Sequence, residues 1–467
     1  HEQYCELKKV PFNAEVLEDW IDEGGEVIEE VLDLLYIGYD TWEPLKLMNE
    51  LQKWRMLTTS LIAGDRFDVK NVETNWIEKE QHIEYSNNIT KFCEANQGDP
   101  LSKVRMEAQI SIMEQLKQCP NQHFYTLDMP TGYGKTITAL KMATRLGEKQ
   151  GYRKILYVAP YLSILEQTSK TIEEAMRGRV LEHHSLAILD SGDNQRDDES
   201  ELWMESWANS IVCTSFNQFG KAIFPRRAQD VLRRAFLKDC IIIIDEPQIF
   251  NPDVWNLFLC GLESLSLILN LKVIFLSATM PPFEYGLLKE PTELKVKALP
   301  NYSRYKLYLE NPKDENSLAE FLQKNEAHSQ AAILNTIEDA YRVYQNIEGE
   351  HVYLLHGLMV PLHKNIIIEK IRLALQNKES PLYLVSTQVI EAGVDVSFEH
   401  IARALPVLPS IVQTAGRVNR HNEGNKKGII SVFPFYRFSE KDTRTYIYPK
   451  PLQKITDQLL YEQASWT

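Results

Sequence analysis

The sequence predicts an α/β protein in which two tandem domains, each built on a parallel sheet, follow a helical N-terminal segment. From about residue 124 onward, short β-branched runs alternate with amphipathic stretches. This alternation is typical of parallel strands that crossover helices connect. Residues 1–95 instead carry apolar side chains at intervals of three and four, which favours helices; the clearest examples are Val27, Val31, Leu34 and Leu35.

The predicted strands fall into two sets, and a stretch rich in Pro, Glu and Lys, residues 281–313, separates them as a hinge. The first set comprises 123–128, 154–159, 210–214, 240–244 and 272–276, and the second comprises 331–335, 351–355, 382–386 and 428–433. We therefore expect a helical segment at 1–95, a first domain at 96–300, a second domain at 301–445 and the start of a C-terminal extension at 446–467.

Composition and charge narrow the classes of function. The chain has 51 Lys and Arg against 65 Asp and Glu, a net charge of −14, which argues against a broad basic face that coats duplex DNA. A narrow track of amide and hydroxyl contacts to phosphates stays compatible with this charge. The six cysteines are scattered without a CxxC pair, so we expect reduced thiols in a cytoplasmic protein. No run approaches the roughly 18 consecutive apolar residues of a spanning helix, and no membrane partner is expected.

A phosphate-binding loop is predicted where the first strand gives way to a helix. Residues 129–136 are Met-Pro-Thr-Gly-Tyr-Gly-Lys-Thr. The glycines let the backbone curl close to phosphates, and the following helix directs its amides at them. The strict pattern begins with glycine where Met129 stands, so the match is to a relaxed form, and a plain glycine turn is the alternative. The predicted ATP-binding residues are Thr131, Gly132, Gly134, Lys135 and Thr136, with Lys135 on the β- and γ-phosphates and Thr136 on Mg²⁺.

A pair of carboxylates follows the most apolar strand. Residues 241–244 are four isoleucines, as expected of a central parallel strand that is buried on both faces. The strand ends at Asp245 and Glu246, and ligands in open α/β sheets bind at such carboxyl ends. We predict that Asp245 holds Mg²⁺ while Glu246 orients and deprotonates the attacking water. An acidic helix cap is the alternative for this pair. Gln248 is a candidate link between the nucleotide and nucleic-acid sites.

Two arginines in the second half, Arg417 and Arg420, are candidate sensors of the γ-phosphate. Their spacing of three predicts one helical face from which both would reach across the cleft. Two arginines on a helix are by themselves more often a solvated face, but four motifs in this order favour the phosphate role. The motif not yet described is Ser-Ala-Thr at 277–279, the third along the chain. Its short hydroxyl side chains can couple the nucleotide state to the neighbouring domain.

Together these motifs resemble helicase superfamily 2, and longer runs resemble the CRISPR-associated helicase-nuclease of type I interference systems. The runs lie at 157–168, 335–336, 385–395 and 416–421. The most specific is Thr-Gln-Val-Ile-Glu-Ala-Gly-Val-Asp at 387–395, which is far longer than a generic helicase motif. The resemblance covers roughly residues 100–435. It implies two RecA-like domains that use ATP to move 3′ to 5′ along the single-stranded DNA displaced by a guide-RNA surveillance complex.

The same resemblance implies further site residues. Gly393 and Asp395 would lie beside the nucleotide, and four polar side chains would lie along the DNA backbone: Thr214, Thr336, Thr387 and Gln388. Each of the four could equally be a strand-end hydroxyl or a helix cap that satisfies its own backbone.

The family usually carries a metal-dependent HD nuclease ahead of the motor. Residues 56–68 resemble the closing helix of that domain, which would make Asp65 a ligand of a transition-metal ion; an ordinary helix-end aspartate is the alternative. The sequence contains no His-Asp dipeptide, and His1 and His82 are the only histidines before residue 100. A complete nuclease site is therefore not predicted within this sequence.

The predicted function is a DNA-stimulated ATPase and single-strand translocase of CRISPR interference. Two alternatives stay open. An RNA helicase of the same superfamily would show ATP hydrolysis stimulated by RNA rather than by single-stranded DNA. An ATP-gated adaptor of the surveillance complex would bind nucleotide without hydrolysing it.

Overall fold

The computed structural model describes residues 44–70, 76–96, 101–130, 132–160, 162–183, 198–250, 252–277, 279–296, 304–391, 396–419, 427–437 and 441–462. Within these ranges the chain forms helices followed by two parallel sheets with flanking helices, which confirms the predicted α/β class. The apolar positions used to predict helix before residue 40, Val27, Val31, Leu34 and Leu35, lie outside the described ranges.

Three helices precede the first strand: α1 (Pro44–Lys70), α2 (Lys79–Ala95) and α3 (Ser102–Gln118). The start of α2 is fixed by Gln81, whose side-chain oxygen accepts a hydrogen bond of 2.8 Å from the backbone N–H of Glu78. The helix then buries Ile89 in the same core as the first sheet. The predicted helical segment therefore contributes directly to the packing of the first sheet.

The first sheet has seven strands in the order β3-β4-β2-β5-β6-β1-β7, and every neighbouring pair is parallel. The strands are β1 (Phe124–Asp128), β2 (Lys154–Ala159), β3 (Leu181–His183), β4 (Ile211–Ser215), β5 (Cys240–Asp245), β6 (Lys272–Ser277) and β7 (Thr292–Lys295). Because parallel strands end at one edge, the residues that follow β1 and β5 lie on the same side of the sheet.

Helices cover both faces of this sheet: α4 (Lys135–Gln150), α5 (Leu162–Met176), α6 (Asp198–Glu205), α7 (Phe216–Ile223), α8 (Ala228–Ala235) and α9 (Pro252–Leu269). The isoleucines of β5 are fully buried, with alternate side chains in two separate cores. One core contains the buried side of α4, including Leu140, Ala143 and Leu146. The other contains an aromatic group from α9 and β6, with Trp255, Phe258 and Phe275.

The second sheet has six strands in the order β10-β11-β9-β12-β13-β8, again all parallel. They are β8 (Tyr305–Leu309), β9 (Ser329–Ile333), β10 (His351–Leu355), β11 (Leu382–Ser386), β12 (His400–Ala404) and β13 (Gly428–Phe433). The surrounding helices are α10 (Glu315–Lys324), α11 (Ile337–Gln345), α12 (Pro361–Gln376), α13 (Leu408–Ala415) and α14 (Lys450–Glu462). A short antiparallel pair, β14 (Tyr436–Arg437) and β15 (Lys441–Asp442), follows β13.

The predicted hinge at 281–313 is wrong in part. Within that stretch β7 pairs with β1, and β8 pairs with β13, so each sheet gains a strand at its edge. A composition rich in charge and proline is also typical of edge strands, which protects them against pairing with other chains. The chain passes from one sheet to the other between Lys295 and Tyr305.

Residues 446–467, predicted to begin an extension, include α14, which packs on the second sheet. Leu460 is buried in the core of that sheet, and the backbone N–H of Leu408 donates to the hydroxyl of Thr456 at 3.1 Å. Across the described ranges, no helix combines the length and apolar character needed to cross a bilayer. The five cysteines in those ranges, Cys93, Cys119, Cys213, Cys240 and Cys260, are free thiols.

Candidate active site between the two sheets

The loop between β1 and α4 has the backbone geometry of a phosphate cradle. Gly132 and Gly134 have φ angles of 84° and 79°, a region that side chains strain and that glycine adopts freely. The side chain of Arg105 supports the loop, since its Nε donates to the carbonyl of Gly132 at 2.8 Å. The first backbone hydrogen bond of α4 runs from the N–H of Thr138 to the carbonyl of Gly134 at 3.0 Å. Thr131 lies outside the described ranges.

Lys135 has the surroundings expected of a phosphate ligand. Its ammonium group is buried, and it makes no hydrogen bond within the described ranges. Its ion pair with Glu246 is loose, with Nζ 3.7 Å from Oε1 of that carboxylate. Phosphate oxygens accept charge-assisted hydrogen bonds from buried ammonium groups at the first turn of a helix. The N–H donors of Lys135 fit this role, because they have no hydrogen-bond acceptor within the described ranges. The loop and Lys135 therefore fit a nucleoside triphosphate.

Asp245 and Thr136 supply the oxygen atoms that a magnesium ion prefers. The phenol of Tyr157 donates to Oδ2 of Asp245 at 2.7 Å, and Thr136 hydrogen-bonds to the same phenol. Loss of hydration, followed by the neighbouring charge of Glu246, raises the pKa of Asp245 to about 7. A divalent cation at this position would favour the ionised carboxylate.

The oxygen donors of Asp245 and Thr136 also fit the way in which proteins commonly bind magnesium. The described ranges contain no group of three or more His, Cys, Asp or Glu side chains that could hold a metal. Magnesium commonly takes one or two carboxylates, waters and the phosphates of the substrate. Asp245 and Thr136 match that pattern.

Glu246 follows β5 in a left-handed backbone conformation, with φ of 52°. Its carboxylate accepts a hydrogen bond of 2.6 Å from Nε2 of Gln248. The hydroxyl of Ser277 donates to Oε1 of Gln248 at 2.8 Å and lies 3.4 Å from Oε2 of Glu246. The backbone N–H of Thr279 in turn donates to Ser277 at 2.9 Å. Two of the predicted motifs thus converge on one carboxylate, and Gln248 is the side chain that connects them.

A cleft of about 820 Å³ separates the two sheets and brings these side chains opposite the second domain. From the first sheet it is lined by Lys135, Thr136, Asp245 and Glu246. From the second sheet it is lined by Glu391, Gln413, Gly416 and Arg417. The structure therefore brings Arg417 to the cleft that holds the phosphate loop.

The prediction that Arg417 lies on a helical face is wrong. Helix α13 ends at Ala415, residues 416–417 form a turn, and Asn419 beyond it has a left-handed φ of 44°. Arg417 lies in that turn, where its Nη2 donates to the carbonyl of Glu391 at 3.1 Å. Arg420 lies outside the described ranges, as do Gly393 and Asp395.

Among the cleft residues that were not predicted from the sequence are two polar side chains of α3. Arg105 and Gln109 lie one turn apart on α3, and both line the cleft. The side chain of Gln109 is 6% exposed, and its Oε1 accepts 2.8 Å from Nζ of Lys141 on α4. The sequence signal that could have identified them is their spacing of four on a helix. The same helix buries the apolar side chains of Ala108 and Ile112, so polar residues beside them are notable.

Three of the four predicted nucleic-acid contacts lie together at the carboxyl ends of β9 and β11, which are neighbours in the second sheet. Gln388 donates from Nε2 to the carbonyl of Asn335 at 3.1 Å. The hydroxyl of Thr336 caps α11 by accepting 3.1 Å from the N–H of Asp339, and it also accepts 2.9 Å from Nη2 of Arg437. Thr387 is buried. A helix cap is therefore one observed role of Thr336.

Thr214 and Asp65 lie away from these groups. Thr214 is fully buried on β4, and its hydroxyl donates to the carbonyl of His183 at 2.9 Å. In this structure its side chain does not reach a surface that a nucleic acid could contact. Asp65 is exposed on α1, and no set of metal ligands accompanies it within the described ranges.

Comparison with known proteins agrees with this geometry. The family described as CRISPR-associated nuclease/helicase Cas3, C-terminal, matches residues 326–423, and the family described as type III restriction enzyme, res subunit, matches residues 100–279. The CRISPR-associated nuclease/helicase Cas3 of Haloferax volcanii is 25% identical over 424 residues, covering 65% of this chain and 45% of that protein. The chain thus spans less than half the length of this relative.

Two solved structures are similar in fold. T. fusca Cas3-AMPPNP superposes with a TM-score of 0.63 at 19% identity, covering 76% of this chain and 49% of that one. A chain of a CRISPR RNA-guided surveillance complex, pre-nicking, gives a TM-score of 0.56 at 18% identity, covering 76% of this chain and 48% of the other.

The fold, the order of the motifs and these comparisons support a helicase of superfamily 2. Within that class the chain is similar to the CRISPR-associated helicases of the Cas3 type, and these comparisons support the resemblance that the sequence predicts.

Proposed function

We propose that this chain is an ATP-driven motor that moves 3′ to 5′ along single-stranded DNA in type I CRISPR interference. The observation that carries the proposal is the cleft in which Lys135 and Glu246 of the first domain face Arg417 of the second. A nucleotide bound there would contact both domains, so its hydrolysis would change how the domains hold each other. That change is the step of a motor.

Each side chain in the cleft has a chemical task that fits its surroundings. Lys135 and the amides after Gly132 and Gly134 would bind the phosphates, and Asp245 and Thr136 would hold Mg²⁺. When bound, Mg²⁺ neutralises charge that develops on the phosphate oxygens. Glu246 would orient the attacking water and accept its proton, while Gln248 holds that carboxylate in place. Arg417 would stabilise charge on the γ-phosphate; the resemblance gives related roles to Thr131, Gly393, Asp395 and Arg420.

The nucleic acid would lie along the carboxyl edge of the second sheet, at Thr336, Thr387 and Gln388. These residues are grouped by neighbouring strands, and this edge lets polar side chains and amides grip phosphates without a broad basic face. The name of one structural relative, a guide-RNA surveillance complex, supports a role on the strand that such a complex displaces. Coupling to an HD nuclease would add transition-metal chemistry; Asp65 would be one ligand of that site and needs partners beyond the described ranges.

The Lys135→Ala substitution tests the nucleotide assignment. We expect ATP turnover to fall to the background rate, because the phosphates lose a charged partner whose side chain is largely buried. Turnover would be measured by phosphate release with single-stranded DNA in excess, and folding by circular dichroism. Lys149→Ala, at the exposed end of the same helix, is the matched control and should keep wild-type turnover. Near-wild-type hydrolysis by Lys135→Ala would exclude the assignment.

The same assay separates DNA from RNA as the track. We expect oligothymidylate to stimulate wild-type turnover more than oligouridylate at equal nucleotide concentration. Stronger stimulation by oligouridylate would indicate an RNA helicase. Nucleotide binding without turnover under either condition would indicate the adaptor.

A further inference from the structure

A fully buried arginine lies behind the cleft, in the second sheet. Arg403 is on the central strand β12 and has no exposed surface. Its Nη1 donates to Oδ1 of Asn335 at 2.8 Å, and its Nη2 donates to the hydroxyl of Ser410 at 3.1 Å. Its Nε lies 2.8 Å from Oε1 of Glu391. The N–H of Nε is not directed at that oxygen, so this contact is an ion pair without a hydrogen bond.

One side of this arrangement leads to the nucleotide cleft. The carboxylate of Glu391 is held by the hydroxyl of Ser410 at 2.7 Å and that of Thr414 at 3.3 Å, both on α13. The backbone carbonyl of Glu391 accepts the hydrogen bond from Arg417, and both residues line the cleft. Arg403 therefore contacts the residue that positions Arg417.

The other side leads to the edge where the nucleic acid would bind. The backbone carbonyl of Asn335 accepts from Gln388, and Asn335 directly precedes Thr336. The side-chain nitrogen of Asn335 donates to the carbonyl of Leu405 at 3.1 Å, which fixes the amide that Arg403 contacts. The guanidinium thus lies between the strand ends of β9 and β11 and the turn that contains Glu391.

The chemistry of a guanidinium makes this link stiff. Its planar fork presents donors in fixed directions, so a shift of one partner misaligns the bonds to the others. In a buried site, water cannot replace a bond that is lost, and the group must keep its partners or move with them. A single buried guanidinium that contacts both sites is therefore suited to transmit a change at one site to the other.

We propose that Arg403 is a positioning residue that couples the nucleotide cleft to the nucleic-acid edge of the second sheet. The proposal rests on the proposed function. Coupling of this kind is reciprocal: nucleotide tightens the binding of single-stranded DNA by the same factor by which DNA tightens the binding of nucleotide.

The decisive experiment compares two substitutions that each remove one buried hydrogen-bonding side chain. Asn335→Ala removes the link from Arg403 toward Gln388. Ser431→Ala is the control. It removes a hydroxyl on β13 that lies 3.1 Å from Nε2 of His400 on β12. These two side chains belong to a separate group of buried polar residues. For each protein the Kd of fluorescent oligothymidylate is measured with and without a non-hydrolysable ATP analogue, and the reverse titration checks reciprocity.

In wild type and Ser431→Ala, we expect the analogue to lower the Kd of oligothymidylate about fivefold or more. In Asn335→Ala, we expect the ratio of the Kd values without and with the analogue to be close to one. A role in stability alone would lower the melting temperature of both variants and leave the factor unchanged. Arg403→Lys keeps the charge beside Glu391 but cannot span Asn335 and Ser410 together, so it should also lose the coupling.

Unchanged coupling in Asn335→Ala and Arg403→Lys, against a coupled wild type, would overturn this proposal and leave the proposed function intact. A wild-type protein that binds neither nucleotide nor oligothymidylate would overturn both.

Discussion

Glu246 occupies a backbone conformation that a residue with a side chain adopts only when its surroundings enforce it. Three groups surround its carboxylate: the ammonium of Lys135, the amide of Gln248 and the hydroxyl of Ser277. The amide donates to one oxygen and leaves the other facing Lys135 across 3.7 Å. An orientation fixed in this way suits a general base, because proton transfer depends on the geometry of the acceptor before its pKa.

The Ser277→Ala substitution tests that orientation. Without the hydroxyl, Oε1 of Gln248 loses its hydrogen-bond donor. The amide that holds Glu246 is then less fixed, and the carboxylate gains freedom to rotate. We expect the maximal rate of ATP turnover to fall about tenfold to a hundredfold with little change in KM, because the loss acts on the reaction rather than on binding. Steady-state phosphate release measures both. Ser266→Ala, which removes a buried hydroxyl within α9, should leave both constants near wild type.

Individual side chains also show where sequence reasoning ends. That Lys135, Asp245 and Glu246 line one cleft was predictable, because a strand, a glycine-rich turn and a helix give them a local context. Arg403 and Glu391 were not predicted as partners, since eleven intervening positions separate them in the sequence. Only the fold brings their side chains to 2.8 Å. Thr214 was assigned by resemblance alone, and its burial shows that a strand-end threonine can use its hydroxyl within the sheet.

Among the helices, the close contact of α2 with α4 depends on a glycine. A Cβ added at Gly147 would lie 2.1 Å from the imidazole of His82. That ring is buried, and its Nε2 lies 2.7 Å from the carbonyl of Tyr152, so it has little room to move aside. The glycine lets a helix that precedes both sheets pack directly on the helix of the phosphate loop.

We therefore expect Gly147→Ala to lower the free energy of unfolding by about 1–3 kcal/mol, the usual cost of overpacking a core. Urea unfolding followed by circular dichroism measures the change. Gly220→Ala is the control, because nothing lies within 4 Å of its added Cβ, and alanine at a compatible helical position should stabilise slightly. A Gly147→Ala protein as stable as Gly220→Ala would show that the helices do not pack as described.

The strands that the sequence predicted and those it missed differ for physical reasons. The isoleucine run of β5 is apolar on both faces, so the sequence alone predicts a buried strand there. In contrast, β12 contains the polar residues His400 and Arg403, which find hydrogen-bond partners far away in the sequence at Gln330 and Asn335. Strand β3 has three residues, too few for a periodic pattern, and β7 and β8 are edge strands whose charged side chains resemble a linker.

The two sheets together form the site, since neither domain contains all of the groups in the cleft. Arg417 approaches the phosphate loop only because the second sheet faces the first across the cleft. The sequence predicted this meeting from the order of the motifs. It could not predict that Arg417 lies beyond the end of α13, because the left-handed Asn419 is held by hydrogen bonds to the carbonyls of Phe398 and Arg304, which are distant in the sequence.

Arg417→Ala should therefore separate binding from hydrolysis. We expect ATP turnover to fall by about 10³–10⁵, because this charge acts mainly on the transition state, while the Kd of a non-hydrolysable ATP analogue changes little. Isothermal titration and single-turnover hydrolysis give the two quantities. Arg372→Ala, at an exposed position on α12, is the control. A variant that loses affinity and rate in equal measure would instead place Arg417 among the ground-state ligands of the nucleotide.

The most direct measurement is single-turnover ATP hydrolysis by Glu246→Gln with oligothymidylate in excess. The amide keeps the size of the side chain and removes its basicity. If Glu246 is the base in a working motor, the variant binds the nucleotide about as well as wild type and hydrolyses it at least about a hundredfold more slowly. Hydrolysis by Glu246→Gln at the wild-type rate would contradict the assignment of this cleft as the site of the reaction.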